Sequence, residues 1–171
     1  NILFTYNKNG FTAKPMQTKI PLFDVNDRSL TDKDKKYKEL DAWSVELKIN
    51  NYELGIMSAE LASAGNKAWI ENDNVRIDYT NTRDGMRQDF VIKEKPLHDL
   101  SLQIDVITKL NVSVNKNSVT ISSTDGTEQL QYSSLKAWDA DGKELAAYFE
   151  ILNSDRLAIR VDGRDAVYPV T

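Results

Sequence analysis

The sequence predicts an all-β protein, an antiparallel β-sandwich with at most one or two short helical turns. Two observations carry this reading. Hydrophobic residues recur at every second position in stretch after stretch, and short turns ending in glycine separate the stretches. Alternation places one side of each strand in a core and the other in water, as in antiparallel sheets; strands of parallel sheets are apolar on both faces. From residue 75 onward, strand and turn alternate roughly every 8 to 12 residues, the rhythm of a sandwich, and about ten to twelve strands are expected.

Taken in order, the first turn signal is "NKNG", Asn7 to Gly10. A polar stretch follows, Leu30 to Asp41, in which Thr31 and Asp34 are spaced like a capping box, so a helical turn is expected there. "AWSVELKIN" places Trp43, Val45, Leu47 and Ile49 on one face and Ser44, Glu46, Lys48 and Asn50 on the other. "SAELASAG", Ser58 to Gly65, reads as a second helical turn closed by Gly65. "NVRIDYT" alternates on Val75, Ile77 and Tyr79, "LSLQIDV" on Leu100, Leu102, Ile104 and Val106, and "RLAIRV" on Leu157, Ile159 and Val161. "TRDG", "STDG", "DADG" and "VDG" punctuate them, since Asp-Gly readily takes the positive φ of hairpin turns. The chain is read as one domain, 1–171, with its best seam at Asn72 to Asn74; an extended or two-lobed arrangement stays open.

Composition narrows the function classes. The 171 residues are 40% hydrophobic and 28% charged, with net charge −4. Nucleic acid is disfavoured, because phosphate binding needs a basic stripe and the Lys-rich run Thr31 to Asp41 is interleaved with acids. No cysteine is present, which removes disulfides, thiolate metal sites and cysteine nucleophiles. No apolar run approaches the roughly 20 residues of a membrane span. The chain opens on Asn1 rather than Met, so a removed signal peptide is expected.

Candidate chemistry is sparse. The single histidine, His98, follows a proline in a loop-like context without a G-x-S-x-G partner, and reads as a loop residue. In "WDADGKEL", Asp139 and Asp141 are weak metal candidates. A calcium loop wants an oxygen ligand at its fifth position, where Lys143 stands, so the stretch reads as a hairpin turn between "SSLKAW" and "KELAAYFEI". Most acids, Glu46, Asp78 and Asp105 among them, fall on the polar phase of strands and are expected to face water. Trp43, Trp69 and Trp138 are weak candidates for a ligand platform, since an aromatic face can carry a sugar ring but more often fills a core. No cofactor is expected.

The segments "VRIDYTNTRDGMRQDFVIKEKP", "LQYSSLKAWDADGKELAAYF" and "DRLAIRVDGRDAVYPVT" occur in an order that resembles an uncharacterised β-rich N-terminal module of large exported bacterial proteins. In that family a tyrosine-asparagine-glycine-"QDF" segment precedes a Trp-Asp-x-x-Gly-(Lys/Arg)-Glu-Leu segment and a tyrosine-proline-valine end. The module typically stands before FG-GAP or other β-propeller-type repeats. The resemblance spans about Trp43 to Thr171 and is strongest from Val75; residues 1–42 have no counterpart. It implies structural roles for Tyr79, Asn81, Gly85, Phe90, Trp138, Gly142, Tyr168 and Pro169: turns for the glycines, core filling for the aromatics, an edge or exit for Pro169. It further implies a secreted, periplasmic or cell-surface location and, as partner, the rest of a larger parent chain.

The expected function is therefore a non-catalytic interaction module that binds protein or glycan through a sheet face or loop rim. The alternatives are a glycan-active enzyme or carbohydrate-binding domain using paired carboxylates beside an exposed Trp, and a calcium-dependent adhesion domain.

Overall fold

The computed structural model describes residues 2–40, 42–50 and 54–171. Asn1, and Asp41 at the end of the Lys-rich run, lie outside the described residues. Strands take 54% of the chain and its pairings are antiparallel, so the class is all-β. The chain opens with a hairpin, β1 (Ile2–Asn7) and β2 (Gly10–Pro15), then a small outlying pair, β3 (Lys19–Pro21) and β4 (Tyr37–Glu39). β5 (Val45–Ile49) leads to a single 3-10 turn, Ile56–Ser58, and a meander: β6 (Glu60–Ala64), β7 (Lys67–Glu71), β8 (Val75–Asn81) and β9 (Met86–Ile92). β10 (Ser101–Thr108) precedes a second meander of β11 (Asn111–Asn115), β12 (Ser118–Ser122) and β13 (Glu128–Ser133). Two-residue strands β14 (Ala137–Trp138) and β15 (Glu144–Leu145) flank the Asp-Gly turn, and β16 (Ala147–Asn153) with β17 (Arg156–Val161) ends the series.

One layer is a six-stranded sheet in the order β1-β2-β5-β10-β17-β16. The second layer is built from two separate sheets, β6-β7-β8-β9 and β11-β12-β13. Ring contacts show where each sits. The Tyr79 ring of β8 meets Tyr6 of β1 at a tilt and Phe11 of β2 edge-on, with ring centres 4.8 and 6.0 Å apart. Tyr132 of β13 meets Phe149 of β16 at 5.3 Å. The two small sheets thus cover opposite ends of the large one, and the strands between those ends, β5, β10 and β17, lie beneath the space between them.

Alternation sets the core. Val45, Leu47 and Ile49, then Val75, Ile77 and Tyr79, then Leu100, Leu102, Ile104 and Val106 are all buried in one cluster with Leu157 and Ile159. Removing such side chains from water supplies most of the folding drive, at roughly 1.5–3 kcal/mol each.

The structure departs from the sequence reading in four places. It has seventeen strands among the described residues, more than expected, because several are only two or three residues long. Glu60–Ala64 is a strand paired with Lys67–Glu71, not a helical turn; only Ile56–Ser58 coils, just upstream. Thr31 and Asp34 do pair, Thr31 donating its backbone N–H and hydroxyl to Asp34 Oδ2, but they close an isolated turn with no helix beyond. Ala147–Asn153 pairs with β17 rather than with the residues before Trp138, so the hairpin at Asp139 is two residues deep on each side.

The polar strand positions also do more than meet water. Asp105 accepts hydrogen bonds from Arg156 and Asn50, and Asp78 accepts a forked contact from Arg76. Glu46 pairs with Lys48. The stretch Asn72 to Asn74 forms the turn between β7 and β8, where the Asn72 side chain accepts from the backbone of Asn74 and Val75 and donates to the carbonyls of Leu54 and Gly55. No helix among the described residues is long and apolar enough to cross a membrane.

Candidate functional site

The space between the two small sheets is a cleft of about 1290 Å³. Native cores hold few voids larger than a water molecule, and ligand pockets run to roughly 1,000 Å³, so this is too large to be a packing fault. Its floor is the inner face of the six-stranded sheet, lined by Phe4, Phe11, Leu47, Leu102, Phe149 and Ile159, all but Phe4 almost fully buried. One wall is β9 with the turn before it; the other is the run from Glu128 to Trp138. Val170 and Thr171 close one end.

Both walls are sheet edges. β9 has β8 on one side, and its neighbour on the other is a single bridge between Ile92 and Val170. β13 has β12 on one side and, among the described residues, no strand on the other. Across the cleft the two walls touch through long side chains: the Tyr132 hydroxyl donates to Gln88 Oε1 at 3.0 Å. Close by, Tyr79 is fully buried, and among the described residues its hydroxyl makes no well-formed hydrogen bond, Gln88 being the nearest polar side chain. Burial pushes that hydroxyl far above the ordinary phenol range; neighbouring Gln88 opposes the shift, but its amide oxygen is engaged by Tyr132.

The sequence candidates fall around this cleft unevenly. Trp138 lines its rim and is 37% exposed, so it does not fill the core as the family resemblance implies. The reason is local: Ala137 takes the inward position of β14, which turns the next side chain outward. Trp43 lies just before β5, partly buried against the core. Trp69 sits on the outer face of β7, with the Arg76 guanidinium 5.4 Å from the centre of its ring. Register places Asp78 beside Trp69 and Asp89 beside Asp78, a row of one aromatic and two acids. Those acids are already engaged, Asp78 by Arg76 and Asp89 by Arg87, through forked N–H contacts of 2.8–3.1 Å. His98 is exposed in the loop before β10.

Asp139 and Asp141 come together as a turn. Asp139 is only 7% exposed, and its carboxylate accepts backbone N–H groups from Lys143 at 2.9 Å, Asp141 at 3.1 Å and Val167 at 3.3 Å. Burial raises its pKa, but these three donors and the nearby Lys143 charge outweigh that and hold it below the ordinary aspartate value. Oxygens so engaged are spent on the chain itself, and Asp141 points to solvent. Gly142 completes the turn at φ +79° with open space around it. Gly142→Val is therefore expected to cost about 1 kcal/mol or more through backbone strain alone. An unchanged urea midpoint would show that the turn tolerates another geometry.

The sequence reading missed residues that frame the cleft, chiefly Gln88, Tyr132 and Val170, and placed Phe90 only as a core aromatic. Their alternation marks them as strand residues, but nothing local distinguishes an edge strand from a central one. In comparisons with known proteins, no family model, curated protein or solved structure matches this chain.

Proposed function

We propose that this chain is a non-catalytic interaction module of a larger exported bacterial protein, and that its cleft holds an extended segment of polypeptide. The observation that carries the reading is the pairing of an apolar floor with two strand edges facing each other across it. Main-chain groups along such edges supply affinity for an added strand, and the floor supplies pockets for alternate side chains. The export and the larger parent follow from the family resemblance.

Trp138 reports on the cleft, whereas Trp43 and Trp69 do not line it. A protein carrying Trp43→Phe and Trp69→Phe is expected to change its emission when peptides of alternating apolar and polar residues are added, and to ignore oligosaccharides. A second reading, a sugar-binding or glycan-active face, draws on the row Trp69, Asp78 and Asp89. Oligosaccharide binding lost in Trp69→Ala, or glycoside hydrolysis lost in Asp89→Asn, would overturn the first reading in favour of the second.

A further inference from the structure

We infer that β6 is a dimerisation edge: two copies of this chain pair β6 against β6, antiparallel, about a twofold axis at Ala62. Their four-stranded sheets then run on into one another. β6 is the edge of its sheet farthest from β9 and the cleft, so the inference stands apart from the peptide reading above.

The edge is open, and the strands behind it fix its register. β6 pairs with β7 from Glu60 opposite Glu71 to Ala64 opposite Lys67, and no strand among the described residues lies on its other side. Just beyond the two ends of β7, Asn72 donates its N–H to the Val75 carbonyl, and the Asn66 carbonyl accepts from Asn81. Successive residues of an inner strand bond to opposite neighbours, so Lys67, Trp69 and Glu71 bond toward β6, where Ala64, Ala62 and Glu60 meet them. Leu61 and Ser63 therefore turn their N–H and C=O groups outward. One arrangement of two such strands satisfies all of these groups: Leu61 of each copy opposite Ser63 of the other. Ala62 then faces its own counterpart at the axis, in the closer kind of antiparallel pair, with about 4.5 Å between Cα atoms, which two methyl groups fit.

Charge complementarity names a second copy as the partner. Glu60, Ala62 and Ala64 share the outer face of the sheet with Lys67, Trp69 and Glu71, because residues directly opposite point to the same side. Glu60 is exposed and stands opposite Glu71, a like-charge pair that costs stability. Glu71 is engaged by Arg76 and Lys93, whereas Glu60 has no ion pair among the described residues. In the twofold pairing Glu60 faces Ala64 of the second copy, and the strand behind that alanine carries Lys67, which is also exposed and without an ion pair. Two strand spacings, roughly 10 Å, separate the two backbones, within reach of a glutamate and a lysine leaning over a methyl group. Symmetry makes the contact twice. On the core side Leu61, 39% exposed, gains cover from the second copy. β6 also carries neither Lys nor Pro, the residues that commonly keep an edge from pairing. β1, the edge strand that opens the six-stranded sheet, has no charged residue to set such a match.

Sedimentation equilibrium tests the pairing. The monomer mass is expected at about 10 µM and a mass higher by about half at about 1 mM, since so short an edge makes a small, transient interface. Glu60→Lys alone and Lys67→Glu alone set like charges against each other across the axis, and each is expected to hold the monomer mass at the higher concentration. Glu60→Lys combined with Lys67→Glu restores opposite charges and is expected to restore the dimer. These changes fall on exposed side chains without ion pairs, so the fold is retained. A parent that stays monomeric at the higher concentration overturns the dimer. Association that survives either single reversal, or that the double variant fails to regain, overturns the register. Amide hydrogen exchange in the unaltered chain needs no variant: Leu61 and Ser63 are expected to slow several-fold between the two concentrations. Unchanged exchange at both while the mass rises would place the association elsewhere on the surface and overturn β6 as the edge.

Discussion

Replacing Gly10 by alanine is expected to destabilise the protein by about 3 kcal/mol or more. Gly10 opens β2, opposite Lys48 of β5 and Asn7 of β1. A Cβ there would lie 1.9 Å from the Leu47 carbonyl oxygen, 3.0 Å from its carbon and 3.1 Å from the Lys48 Cα. All three are backbone atoms of a central strand, so no side chain can swing aside. Relief requires β2 to move away from β5, which carries Phe11 and Ala13 out of the core and disturbs the Tyr79 ring contacts. A urea melt reads the loss directly. A midpoint within error of the parent would mean that β2 and β5 do not approach as closely as described.

The second large effect centres on Asp139. Asp139→Ala is expected to lower the melting temperature by on the order of 10 °C, because three N–H groups lose a charged acceptor at once. One of them, Val167, lies three residues before Val170, which bonds Ile92, so the change also loosens the end of the cleft that Val170 and Thr171 close. The pH dependence has a definite sign. The folded pKa lies below the unfolded one, so the contribution is fully present above about pH 4 and is lost as pH falls through the lower folded value. Asp139→Asn, which cannot titrate, is expected to lose less stability than the parent on going from pH 5 to pH 2. If the two proteins lost stability in parallel over that range, Asp139 would not be the group that senses acid.

Much of the fold was legible in the sequence because its signals are local. The alternation of Val75, Ile77 and Tyr79, or of Leu100 through Val106, needs only the period of a strand and the cost of wetting apolar groups. The turn at Asp139 to Gly142 was equally legible, since Asp bonds its own downstream backbone and Gly accepts positive φ. "ELASA" misled because its small residues suit a short helical turn as well as a strand, and pairing with β7 decided the matter.

The candidate site was not legible, for a physical reason. Edge and central strands share the same alternation, and the difference lies in which neighbours arrive from far along the chain. Gln88 meets Tyr132 across 44 residues, and Asp139 meets Val167 across 28. Trp138 could be read as core until Ala137 was seen to take the inward position. By itself, the sequence determined the all-β class, the longer alternating strands with their buried faces, and the Asp-Gly turn at Asp139 to Gly142, because these follow from side-chain spacing and local hydrogen bonding. Only the tertiary structure decided that the second layer is split and that Val170 and Thr171 bond Ile92 and Trp138 across one end of the gap. Those depend on the order in which distant strands pair, and backbone hydrogen bonds between strands carry no record of it in local sequence.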